Sequence, residues 1–95
     1  MVIGQYGTTM GKMQAMSRRK QPNRDADAFG AIVRRLRMKK GLTQEALAEL
    51  AHLNVSYIGF LERGENVPTL TIVLNLAHAL HVPAADLVRE VARKR

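Results

Sequence analysis

Residues 41–64 read GLTQEALAELAHLNVSYIGFLERG, and their spacing decides the fold. Thr43 can cap a helix from about Gln44 to Ala51, since a threonine oxygen can accept a hydrogen bond from an otherwise unpaired first-turn amide. Leu47, Leu50 and Ala51 recur at three- and four-residue intervals and give that helix one apolar stripe. Ala48 is small where two helices must cross closely. Leu53 is an apolar plug in the turn that follows. Asn54 can cap a second helix, about Val55 to Arg63, whose inward residues are Ile58 and Leu61. Its other face carries Val55, Ser56, Tyr57, Gly59 and Phe60. Gly64 stops it. Pro68 keeps the next loop out of helix, because the residue before a proline disfavours the helical region. The stretch is two short helices joined by a tight turn.

Working outward, the same rules predict three more helices. The first begins with Asp25 or Asp27 as cap and runs to about Lys39, with Phe29, Ile32, Val33 and Leu36 inward and Gly41 ending it. The fourth follows Thr69, with Leu70, Val73, Leu74, Ala77 and Leu80 inward. The fifth starts near Pro83, which suits a first-turn position, and continues to about Arg93 along an edge of Leu87, Val88 and Val91. No strand signal and no internal repeat is present. The expected fold is all-α, five helices in one domain over residues 25–95. Residues 1–24 have glycines, methionines, basic groups and no acidic residue, and are expected to form a flexible basic arm. Met10, Met13 and Met16 within it are candidate alternative translation starts.

Composition sets the outer bounds. Ninety-five residues allow one modest core. The absence of cysteine rules out a disulfide framework and fits a reducing cytoplasm, the expected location. No apolar run is long enough to span a membrane. Arg18-Arg19-Lys20 is followed by no apolar segment, which argues against an export signal. The net charge of +7 suggests a polyanionic partner, and it is unevenly distributed. Residues 1–24 carry +5, residues 25–41 carry +3, residues 42–88 carry −4 with Arg63 as their one basic group, and residues 89–95 carry +3.

The GLTQE opening, the SYI segment, the LERG ending, the PTL start of the fourth helix and the LAHALHV pattern resemble the DNA-binding domain of the Cro/cI (Xre) family. The resemblance runs from about Phe29 to Leu87. It implies a five-helix, lambda-repressor-like fold in which the second and third helices form a helix-turn-helix and the third lies in the DNA major groove. The family often has glycine where this turn has His52. Histidine tolerates a left-handed backbone better than most residues.

The resemblance also implies site residues. Thr43 and Gln44 should stand at the phosphate backbone, where Gln44 and the amides of that helix start can donate to a phosphate. Asn54, Val55, Ser56 and Phe60 match positions that face base edges. Val55 and Phe60 have no hydrogen bonds to give but can pack on thymine methyl groups. Phe60 as a partly buried core residue, or as one that shields a partner surface, is the plain alternative, as a simple surface role is for Gln44. Tyr57 is expected to reach phosphate or sugar. Gly59 is unusual within a helix, and a close approach by DNA or by a neighbouring side chain would account for it. Arg37 and Glu62 match a buried ion pair that ties the first and third helices. Arg34, Arg35, Lys39 and Lys40, with Arg18, Arg19 and Lys20 of the arm, are either a solvated basic surface or the source of phosphate neutralisation.

His78 and His81 have metal-compatible spacing but no third ligand, so neither a metal nor another cofactor is expected. No nucleophile–base–acid set is present, and nothing points to an enzyme. Double-stranded DNA is the expected partner. A domain this small sees few base pairs, so useful specificity calls for a homodimer on a pseudo-palindromic operator, with Leu87, Val88 and Val91 as the dimer element. The pattern resembles restriction–modification controllers and small phage-type repressors. The competing reading is an antitoxin; the expected protein partners are then a toxin or, for a regulator, polymerase.

Overall fold

The computed structural model describes residues 23–95, and the arm with Arg18, Arg19 and Lys20 lies outside them. Five helices follow in order: α1 Arg24–Lys39, α2 Gln44–Ala51, α3 Val55–Glu62, α4 Leu70–Ala79 and α5 Ala84–Arg93. The described residues contain no strand.

The caps explain the boundaries. Thr43, Asn54 and Thr69 each accept a hydrogen bond from a first-turn amide of α2, α3 and α4, from Ala46, Ser56 and Ile72 respectively. α1 departs from expectation, because Asn23 is its cap, accepting from the Ala26 amide at 2.9 Å. Asp25 and Asp27 instead lie in the first turn, where their charge complements the helix dipole. Pro83 stands at the cap of α5 without a side-chain bond.

The first four helices end in one way. Gly41, His52, Gly64 and His81 all take positive φ, of 71°, 60°, 76° and 58°. The residue after each turns its amide back to a carbonyl five positions earlier, as in Leu53 to Ala48 at 2.8 Å and Val82 to Ala77 at 3.0 Å. This doubly bonded left-handed terminus satisfies carbonyls that the helix leaves open. His52 does what a glycine would do, at the steric cost of a Cβ.

The core is built from Phe29, Ile32 and Val33 of α1, Leu47, Ala48 and Ala51 of α2, Ile58 and Leu61 of α3, Leu76, Ala77 and Leu80 of α4, and Leu87 of α5. Leu36, Leu53, Val73 and Val91 pack around it. Three expected core residues are exposed instead: Leu50, Leu70 and Leu74. Leu50 falls on the flank of the Leu47, Ala48 and Ala51 arc. α4 is apolar around much of its circumference, so its pattern does not fix the phase, and Leu76 takes the inward position. α3 packs on α1 and α2, while α5 packs on α1 and α4. The α1–α3 crossing is very close: a Cβ at Gly30 would collide with the Leu61 carbonyl oxygen and stand 2.9 Å from that of Glu62. Only glycine admits this approach.

Candidate nucleic-acid interface

The close crossing brings the Arg37 side chain to Glu62. Arg37 Nε donates to Glu62 Oε2 at 2.7 Å and its second terminal nitrogen to Oε1 at 3.0 Å, a forked pair. The remaining terminal nitrogen donates to the Leu42 carbonyl at 2.8 Å. The two side chains are 11% and 2% exposed. The hydrogen bond from Arg37 to Glu62 raises the guanidinium pKa further above its ordinary value, against the opposing effect of burial. This is the pair that the family resemblance implied. It fixes α3 to α1 and, through Leu42, to the approach of α2.

Gln44 joins that network. Its amide donates to Glu62 Oε1 at 3.0 Å, an inward structural contact where the resemblance implies a phosphate contact. Gln44 still borders the cleft between the start of α2 and the outer face of α3. Val55, Ser56, Gly59, Phe60 and Arg63 form the rest of that cleft. Thr43, Asn54, Val55 and Ser56 are exposed, and Phe60 is half-buried. The Asn54 side chain is engaged with the Ser56 amide at 2.7 Å, so it meets a ligand only while also capping α3.

Two expected site residues are placed elsewhere. Tyr57 is buried, and its hydroxyl donates to Asn66 Oδ1 at 3.3 Å. Its ring packs into the core, and burial pushes its phenol pKa up; it is an anchor of α3 rather than a surface contact. Leu87 is fully enclosed in the protomer's own core, so it is not offered to a second subunit. Val88 is exposed and Val91 half-buried. Arg34, Lys39 and Lys40 are exposed as expected, while Arg35 bonds to Glu90 at 2.6 Å and braces α1 against α5.

Arg63 was missed, although it is the single basic residue of the acidic segment 42–88. It caps the C-terminus of α3 and folds back over the outer face of that helix. Its guanidinium carbon lies 5.5 Å from the centre of the Phe60 ring, a cation–π distance. Its Nε donates to Glu65 at 3.2 Å. A Cβ at Gly59 would come within 3.2 Å of a terminal nitrogen of Arg63. The neighbouring Arg63 side chain thus comes close to the space that a Gly59 side chain would fill.

Residues 33–87 match the family described as Helix-turn-helix, more than half of the chain. YazB of Bacillus subtilis (strain 168), an HTH-type transcriptional regulator without a characterised role, is 35% identical over 63 residues, covering 66% of this chain and 91% of its own. The control protein C.SmaI of Serratia marcescens is 41% identical over 56 residues, 59% of this chain and 67% of its own. The solved structure of the restriction-modification controller C.AhdI from Aeromonas hydrophila superposes with a TM-score of 0.66 at 43% identity, over 68% of this chain and 98% of that one. The chain therefore belongs to the Cro/cI-type helix-turn-helix family. Within that family it is an HTH-type transcriptional regulator.

Proposed function

We propose that the protein is a sequence-specific DNA-binding transcriptional regulator that acts as a homodimer on a pseudo-palindromic operator. The observation that carries this reading is α3 itself. Its inner face is clamped by Ile58, Leu61, Tyr57 and the Arg37–Glu62 fork, while its outer face presents Val55, Ser56, Phe60 and Arg63 beside the start of α2. A helix held this firmly with chemically varied side chains outward suits insertion into a major groove. The likeness to the controllers C.SmaI and C.AhdI supports the same reading.

The grip comes from elsewhere. The segment 42–88 is net negative, so phosphate neutralisation falls to Arg34, Lys39, Lys40 and the basic arm, with the amides at the start of α2 adding neutral donors. Deleting residues 1–20 weakens binding and flattens its salt dependence; an unaltered salt slope would remove the arm from this role.

Dimerisation uses the apolar surface where Val88 and Val91 of α5 lie beside Val73 of α4 and Val67 of the preceding loop, with Val67 and Val88 exposed. Val88→Asp then yields monomers by sedimentation and a large loss of operator affinity. A wild-type chain that sediments as a monomer would instead favour that face as the seat of a protein partner, as an antitoxin reading requires. Selection of bound DNA from a random pool tests the whole proposal. A recovered palindrome gives site, symmetry and spacing together, and a pool that enriches nothing ends the claim of specific reading.

A further inference from the structure

The reading face has an uneven chemistry. Val55 and Phe60 give it no hydrogen bonds, and Ser56 both donates and accepts, so it discriminates weakly. Arg63 is its one strong donor, and it is built in rather than loose. The Phe60 ring lies against its guanidinium, Glu65 holds its Nε, and Gly59 leaves the space in which it sits. Its two terminal nitrogens make no hydrogen bond with other described residues.

That arrangement favours a base over a phosphate. A carboxylate beside a phosphate repels it and cancels the charge that makes an arginine useful there, so the Arg63–Glu65 pair is a poor backbone anchor. A guanine edge is neutral and tolerates the carboxylate. Its O6 and N7 accept from the paired terminal nitrogens of an oriented arginine fork. The valine and the phenylalanine ring beside that fork suit a methyl group on the neighbouring pyrimidine.

We propose that Arg63, seated by Gly59 on Phe60, is a specificity-determining residue that reads a guanine following a 5-methylpyrimidine in each half-site. The methyl-bearing base is thymine or 5-methylcytosine, which present the same group in the major groove. This inference rests on the reading of α3 as the DNA-contacting helix.

The test uses the full-length chain and the operator recovered from a random pool. Fluorescence anisotropy compares duplexes carrying TG, UG, methylated CG, unmethylated CG and T followed by 7-deazaguanine at the step. Replacing the guanine by another base costs wild-type protein roughly tenfold or more in affinity. Removing the methyl, as UG against TG or CG against methylated CG, costs about fourfold, the effect of one buried carbon. Arg63→Ala abolishes the guanine preference and leaves the salt slope unchanged. Gly59→Ala raises the melting temperature, since alanine favours helix, yet weakens the same preference by displacing the guanidinium.

A uniform loss of affinity for every duplex in Arg63→Ala, with a salt slope reduced by about one, would mark a phosphate contact and overturn the proposal. Enriched operators that lack the step overturn it while leaving α3 as the reader. A methylated CG that binds no better than CG overturns the methyl part, and an unchanged base preference in Gly59→Ala overturns the seat. A pool without any enriched sequence strikes instead at the underlying DNA reading.

Discussion

Two arginine–glutamate pairs meet at the end of α3, one residue apart in sequence and opposite in character. Arg37–Glu62 is 11% and 2% exposed and bonds through a fork, with Gln44 and the Leu42 carbonyl completing its shell. Arg63–Glu65 is 53% and 27% exposed and rests on one bond of 3.2 Å. The first is a joint between helices. The second holds a charge in a chosen posture on the face that α3 turns outward. Solvent access separates them: both side chains of the first pair are enclosed, so removing one leaves the other uncompensated, whereas Arg63 is open to solvent and Glu65 is half-buried, with its Oε1 enclosed and without a hydrogen bond. On the proposed reading, adjacent residues Glu62 and Arg63 divide stability and recognition between two sides of one helix.

The largest expected effect breaks the buried pair. Glu62→Ala leaves the Arg37 guanidinium enclosed and unpaired and removes the acceptor of Gln44, at a cost of about 3–5 kcal/mol. For a domain of this size each kcal/mol corresponds to about 4–8 °C in melting temperature, so the drop is easily read by calorimetry. An unchanged transition would show that the pair is incidental. Gly30→Ala attacks the same joint from the backbone, by forcing α1 away from the Leu61 and Glu62 carbonyls. We expect about 1–3 kcal/mol of destabilisation from that overpacking, against the alanine's better helix propensity. A stabilised Gly30→Ala would contradict the close crossing.

The comparison also explains what the sequence disclosed. The caps Thr43, Asn54 and Thr69, the stops at Gly41 and Gly64, and the inward residues Phe29, Ile58 and Leu61 were legible because each follows from local geometry. Arg37 and Glu62 were assigned through family resemblance; 25 residues separate them, and no local pattern links them. Gly30 went unnoticed because its reason lies in the backbone of another helix. Tyr57 was misplaced because an amphipathic ring suits either a surface or a core. Leu70 and Leu74 were misphased because α4 has apolar side chains on several sides. Arg63 looked like an ordinary helix-end cation; its posture depends on Phe60, Gly59 and Glu65 acting together.

Tyr57→Phe probes the inner side of α3 more gently. It removes the hydroxyl bond to Asn66 while keeping the ring, and costs about 1 kcal/mol. The pH dependence carries a sign. Burial raises the Tyr57 pKa above its unfolded value, so the folded state keeps its proton where the unfolded chain releases it. The wild-type protein therefore loses stability as pH rises above about 10, the ordinary tyrosine value, and Tyr57→Phe loses less over the same range. Parallel alkaline profiles for the two proteins would place the hydroxyl in water.

The smallest effect on stability belongs to the Arg63–Glu65 pair, whose arginine is open to solvent. Arg63→Ala and Glu65→Ala each shift the unfolding free energy by no more than about 0–1 kcal/mol, and salt shrinks the difference. Their DNA phenotypes diverge: Arg63→Ala loses its fork, while Glu65→Ala keeps the guanidinium but frees it to swing. The second variant gains charge at the reading face, so its binding to random DNA strengthens as its discrimination falls. Specific and nonspecific affinities measured side by side read this directly. A Glu65→Ala protein that discriminates as well as wild type would show that the Phe60 ring and Gly59 are sufficient to hold Arg63 in place.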